Sequence, residues 1–181
     1  MSAILPPAER VWWKQPLDRV ELLWIIIALT WCLIMFFMMP YWHLYGQQNL
    51  ANEAYRARPE EYVKKAEEMI AKYKVREEGP EGLKVPVVAP PAGADVYLVA
   101  RLWSWQPILE LQAGTPYRLH LMSMDWLHGF SLQPENINIE VHPGYDHVLT
   151  ITPSSKGTFS IVCNEYCGIN HHTMVGRIYV K

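Results

Sequence analysis

The chain predicts a mainly β protein carried on a single N-terminal transmembrane helix. Two observations carry that reading. Leu22 to Met39 is an unbroken run of 18 uncharged residues, and beyond about residue 94 the pattern changes to short alternating runs parted by turn residues. A near balance of 16 basic against 18 acidic residues leaves no nucleic-acid footprint.

Residues 1–21 form a short segment before the span, with Arg10, Lys14 and Arg19 as its cations. The span itself, residues 22–39, would reach roughly 27 Å at the helical rise, enough for a hydrocarbon core with help from its flanks. Trp12 and Trp13 precede it, and Tyr41, Trp42 and Tyr45 follow, as an aromatic belt would. The run is apolar on every face, unlike a core helix, and no small-residue cleavage site follows it as in a secretory signal. No Lys or Arg occurs between Met39 and Arg56. The positive-inside rule then puts the N-terminus in the cytoplasm and the bulk of the chain on the periplasmic side of the plasma membrane.

Residues 40–93 read as a short exposed helix followed by a Pro-rich linker. Pro59 suits a first helical position, and Glu60/Lys64, Glu61/Lys65 and Glu68/Lys72 are spaced as i,i+4 pairs. The stripe Tyr62, Val63, Ala66, Met69, Ile70 and Tyr73 predicts a face laid on the domain or on a partner. Gly79-Pro80, Pro86 and Pro90-Pro91 predict extended, partly polyproline-like chain.

Residues 94–181 make the predicted β domain, a sandwich or barrel. Its candidate strands are 95–104, 108–112, 117–124, 130–133, 137–141, 147–152, 158–162 and 177–181, with breaks at Gly114-Thr115-Pro116, Pro143-Gly144 and 154–157.

Chemistry concentrates in Cys163-Asn164-Glu165-Tyr166-Cys167-Gly168-Ile169-Asn170-His171-His172-Thr173-Met174. Thiolates, imidazole and thioether are ligands that copper prefers and zinc tolerates. A mononuclear blue-copper site needs one cysteine, and this segment has two. Two thiolates can bridge two metals, with His171 and Met174 terminal, which leaves one imidazole to be found. Among the remaining histidines, His43 lies by the membrane flank, His120 and His147 lie in strand-like runs and suit satisfied core positions, and His142 precedes a Pro-Gly turn. His128, in Asp125-Trp126-Leu127-His128-Gly129-Phe130, follows a strong strand, where a ligand can be aimed from a rigid end. The third cysteine, Cys32, sits in the apolar run as a small hydrophobe. No Cys-x-x-Cys-His occurs, so a haem donor must belong to another protein.

Asp-x-x-His-Gly-Phe, then Asn136-Ile137-Asn138-Ile139-Glu140-Val141-x-Pro143-Gly144, then Cys-x3-Cys-x3-His-x2-Met, together resemble subunit II of haem-copper cytochrome c oxidases. The single span is similar to the small B-type (ba3-like) branch. The resemblance implies a cupredoxin-like Greek-key β-barrel holding a binuclear CuA centre of two copper ions. It implies Cys163 and Cys167 as bridging ligands, His128 and His171 as terminal ligands, Met174 as a weak ligand, and the backbone carbonyl of Glu165 as another. It selects His171 over His172, because Met174 stands three residues after the ligand. In the larger branch the matching glutamate also reaches a Mg²⁺ at the interface with subunit I, and Glu165 has that side chain. Trp103, in Trp103-Ser104-Trp105-Gln106-Pro107, matches the aromatic residue at which electrons arrive. Trp126, Leu127, Phe130, Tyr166 and Ile169 are expected to form the apolar surround.

The implied function is to take electrons from a periplasmic cytochrome c or small copper protein and pass them to haem in subunit I, where O₂ is reduced. With five basic and seven acidic residues from Ala89 onward, the domain has no strongly acidic face, so donor docking is expected to be largely apolar. Other readings are the CuA subunit of a nitric oxide reductase, a copper carrier or assembly protein, and a structural zinc site. Nitrous oxide reductase is set aside because it is a much larger chain.

Overall fold

The structure, a computed structural model, describes residues 16–45, 52–80, 82 and 84–181. The chain divides into two compact units, Met1–Asn49 and Leu50–Lys181.

The first unit contains helix α1, Arg19–Tyr45, 27 residues long. Asp18 caps its start, with its backbone N–H donating to the Glu21 carboxylate at 3.1 Å. Its side chains are exposed throughout. An apolar helix of about 40 Å, whose interior backbone groups pair within the helix, is suited to lipid. It runs beyond the predicted 22–39 in both directions and carries Pro40 near its end, where Tyr41, Trp42 and Tyr45 follow. Arg10, Trp12, Trp13 and Lys14 lie outside the described residues.

Among the described residues of the second unit, twelve strands form two sheets. They are β1 (Asn52–Arg56), β2 (Lys74–Glu78), β3 (Val85–Val88), β4 (Asp95–Arg101), β5 (Ser104–Gln106), β6 (Ile108–Leu111), β7 (Tyr117–Ser123), β8 (His128–Leu132), β9 (Ile137–Val141), β10 (Tyr145–Ile151), β11 (Gly157–Val162) and β12 (Val175–Val180). One sheet has the order β1-β10-β7-β4-β5 and the other β2-β3-β6-β12-β11-β8-β9. Leu98, Leu119, Leu121 and Leu149 of the first sheet share a buried core with Leu109, Phe130, Ile161 and Ile178 of the second. Parallel pairing of β4 with β7 and of β6 with β12 means that consecutive strands change sheets, as crossing connections in a sandwich require.

Residues 50–93 belong to the same unit as the β domain; the helix expected from Pro59 is present, while the expected linker is not. Helix α2, Pro59–Tyr73, turns Tyr62, Ala66 and Met69 inward. The Tyr62 hydroxyl donates to the Leu98 carbonyl at 3.0 Å, and Met69 Sδ accepts from the Tyr97 amide at 3.3 Å. Its apolar stripe therefore covers its own domain. On its outer face, Glu61 pairs with Arg58 rather than with Lys65. The Pro-rich stretch supplies β2 and β3: Val87 and Val88 are fully buried, and β3 joins β6 in parallel. Burial of two valines outweighs the breaking tendency of Pro86.

Two further boundaries matter for the site. The predicted strand 95–104 breaks into β4 and β5, a hairpin whose paired ends Arg101 and Ser104 leave Leu102 and Trp103 at the tip. His120 and His147 are buried in β7 and β10; His120 Nδ1 lies 2.8 Å from Asp146, and His147 Nε2 accepts from the His142 amide at 3.3 Å.

Candidate metal centre

Strands β11 and β12 pair from Gly157–Val180 to Val162–Val175. The twelve-residue sulfur-rich segment is the loop between them, closed at its base by the Cys163 amide donating to the Met174 carbonyl at 3.2 Å. A ladder on both sides thus pins the first and last donors of the loop. Its interior turns back at Gly168, whose φ of +113° suits a residue without Cβ, and closes with a short 3₁₀ turn at His171–Thr173.

His128 opens β8, which pairs with β11, so its ring enters the same space from the adjacent strand. The donors form a chain. His128 Nδ1 is 3.8 Å from Cys163 Sγ, the two sulfurs are 3.8 Å apart, and Cys167 Sγ is 3.6 Å from His171 Nδ1. Met174 Sδ stands 3.8 Å from Cys167 Sγ, and the Glu165 carbonyl accepts from Cys163 Sγ at 3.3 Å. His128, Cys163, Cys167 and Met174 are all buried, while His171 is half-buried and His172 exposed. Among the described residues, His128, Cys163 and Cys167 are the one group of such side chains close enough to share an ion.

Burial, and then the bond and charge of neighbouring Cys163, push the Cys167 thiol up to about 11. Two soft thiols pressed together in an apolar pocket, with an imidazole beside each, form a donor set that favours a metal able to hold both as thiolates. Copper meets that description, and a buried thioether adds to it.

Asp125 orients His128. Its Oδ1 lies 2.8 Å from His128 Nε2 and accepts from the Trp126 amide at 2.7 Å, while Oδ2 accepts from the Leu102 amide at 2.7 Å. Burial opposes ionisation of Asp125, but its bonds to His128, Leu102 and Trp126 hold the carboxyl below its ordinary range. Such a carboxylate leaves Nδ1 of the ring to face the sulfurs.

Trp103, half-buried at the β4–β5 tip, donates from Nε1 to the Cys167 carbonyl at 3.3 Å, and its ring lies 3.6 Å from where a Gly168 Cβ would stand. The apolar surround differs from the expected one. Phe130 is buried, but Trp126, Tyr166 and Ile169 are exposed by 62, 78 and 83%. Trp105 takes their place, edge-on to His128 at 6.2 Å and to Phe130 at 5.6 Å. Along β5 the burial alternates, with Trp105 buried between half-buried Ser104 and exposed Gln106. Asp125 was readable, as an acid three residues ahead of the histidine.

The β domain is similar to known proteins. Residues 101–180 match the family described as cytochrome C oxidase subunit II, periplasmic domain. Cytochrome c oxidase subunit 2 of Thermus thermophilus is 36% identical over 110 residues, 59% of this chain and 82% of that one. The chain belongs to the cytochrome c oxidase subunit II family. A probable subunit 2 of Streptomyces coelicolor is 35% identical over 74 residues, 41% of this chain and 23% of that one. A chain of a haem-copper terminal oxidase dimer, solved by cryo-EM, superposes with a TM-score of 0.58 at 21% identity, covering 90% of this chain and 100% of that chain, which speaks for the fold. As a subunit II with an apolar helix of spanning length, the chain is a membrane protein and part of an oxidoreductase complex.

Proposed function

We propose that this subunit II holds a binuclear CuA centre and receives electrons for a haem-copper oxidase of the B type. The reading rests on one observation above all. Two buried sulfurs 3.8 Å apart are flanked by one imidazole each, His128 on the Cys163 side and His171 on the Cys167 side. Cys163 and Cys167 would bridge, His128 and His171 would end the array, and Met174 and the Glu165 carbonyl would be its weak ligands. Copper bound there supplies a one-electron couple shared across two thiolates.

The protein's own contribution is rigidity. The β11–β12 ladder and the Asp125–His128 bond hold the donors in place before and after a change of charge, so little rearrangement accompanies an electron. Burial of both cysteines and Met174 keeps water from the sulfurs. Trp103 would be where the electron arrives, its indole bonded to the backbone of Cys167. The charge asymmetry before the helix supports an N-terminus in the cytoplasm and a periplasmic domain. Subunit I would receive the electron, and a cytochrome c or small copper protein would deliver it. Among the described residues Glu165 does not gather with two further metal-binding side chains. A Mg²⁺ at the interface would therefore need its other ligands from the partner subunit.

A buried Met174 beside Cys167 favours copper over a zinc site, and buried donors favour a resident centre over a copper carrier. The test is to purify the complex and follow donor oxidation with O₂ and with nitric oxide as acceptors. Electron flow from a periplasmic donor to O₂ is the expected result; turnover of nitric oxide alone would replace it with the nitric oxide reductase reading.

A further inference from the structure

The residue after His128 is Gly129, buried in β8 where it pairs with Glu140 of β9. A Cβ at this position would stand 2.0 Å from Asn164 Oδ1 and 2.8 Å from the backbone nitrogen of Glu165. The first contact is with the end of a side chain, but the second is with backbone and cannot be relieved by a rotamer change. Asn164, between a sulfur ligand and Glu165, in turn reaches over β8: its Nδ2 donates to Asn138 Oδ1 on β9 at 2.9 Å. The first turn of the ligand loop is therefore laid against the β8–β9 ladder, and the gap in side chains at Gly129 is what admits it.

This contact touches one half of the site. Cys163 precedes Asn164, the Glu165 carbonyl lies 3.3 Å from Cys163 Sγ, and His128 precedes Gly129. Cys167, His171 and Met174 belong to the later part of the loop, which Trp103 covers. We propose that Gly129, Asn164 and Asn138 form a clamp that sets the Glu165 carbonyl against the Cys163 sulfur, and so balances the two halves of the centre. All three are positioning residues, and the inference rests on the copper reading above.

The test uses the full chain in detergent, with copper as the probe, as wild type and as Asn164→Ala, Asn138→Ala, Gly129→Ala and the double variant Gly129→Ala/Asn164→Ala. Chelator competition reports affinity, and the electron spin resonance hyperfine pattern reports how evenly the unpaired electron is shared. Both asparagine variants should keep the full copper load, lose about tenfold in affinity and show unequal sharing, a signature that general loosening would not produce. Gly129→Ala should be worse than either. The double variant should recover part of the loss, because the 2.0 Å contact goes while the 2.8 Å contact stays. Wild-type affinity and hyperfine pattern in both asparagine variants would overturn the clamp, whether or not Gly129→Ala folds. A wild-type chain that takes up no copper pair would instead overturn the copper reading, and the clamp with it.

Discussion

Asp125 meets four donors, His128 Nε2, the amides of Leu102 and Trp126 and, at 3.4 Å, the Ser123 hydroxyl, and so ties His128 to the hairpin tip that carries Trp103. Asp125→Asn keeps the shape but weakens the bond to the ring, and copper affinity should fall by about tenfold, read by chelator competition. Met174 acts differently. Its thioether is buried beside Cys167, so Met174→Leu preserves volume and should shift the reduction potential while metal analysis still finds a full copper load. Cys167 gives the site its pH dependence. With the metal-free thiol pushed up to about 11, copper must displace a proton at neutral pH. Affinity should therefore rise with pH, by about tenfold per unit for the Cys167 proton released, and fall on acidification. A pH-independent titration would mean that the Cys167 thiol is already ionised.

The elements around the site explain what could and could not be read beforehand. The ligand loop was legible because its donors are close in sequence, and His128 because it sits in a distinctive motif at a strand end. Before residue 94 the helical stripe was legible, and Tyr62 and Met69 are buried as its spacing implied. The Pro-rich stretch was misread, because prolines signal breaks, whereas Val87 and Val88 are buried by long-range packing that no local window contains. Trp126, Tyr166 and Ile169 show the converse, since being next to a ligand in sequence does not bury a side chain. A fragment starting at Ala89 lacks β1, α2, β2 and β3, and should melt well below one starting at Leu50 by calorimetry; equal melting temperatures would make those elements mere appendages. In β10, burial first and then nearby His142 depress His147, against the opposing pull of Asp146. A depressed folded value means that the unfolded chain takes the proton more readily. The contribution is thus complete above about pH 6.5 and is lost as pH falls through the lower folded value. His147→Gln, which cannot charge, should flatten the acid side of the stability profile.

At the scale of the molecule, the chain combines a helix of membrane-spanning length with a two-sheet domain, and that domain carries a loop of soft donors fixed at both ends by strands. On the proposed reading, the use of that loop is to hold a redox centre still. Trp103→Ala should slow donor oxidation in the assembled complex while leaving the copper spectrum intact, and an unchanged rate would return Trp103 to packing. All of this depends on what the two sulfurs hold. Electron spin resonance of the copper-loaded full chain, with copper counted per chain, decides it. Two coppers and a mixed-valence pattern with one electron shared over both are expected; one copper per chain, or an electron confined to a single ion, would contradict the binuclear centre.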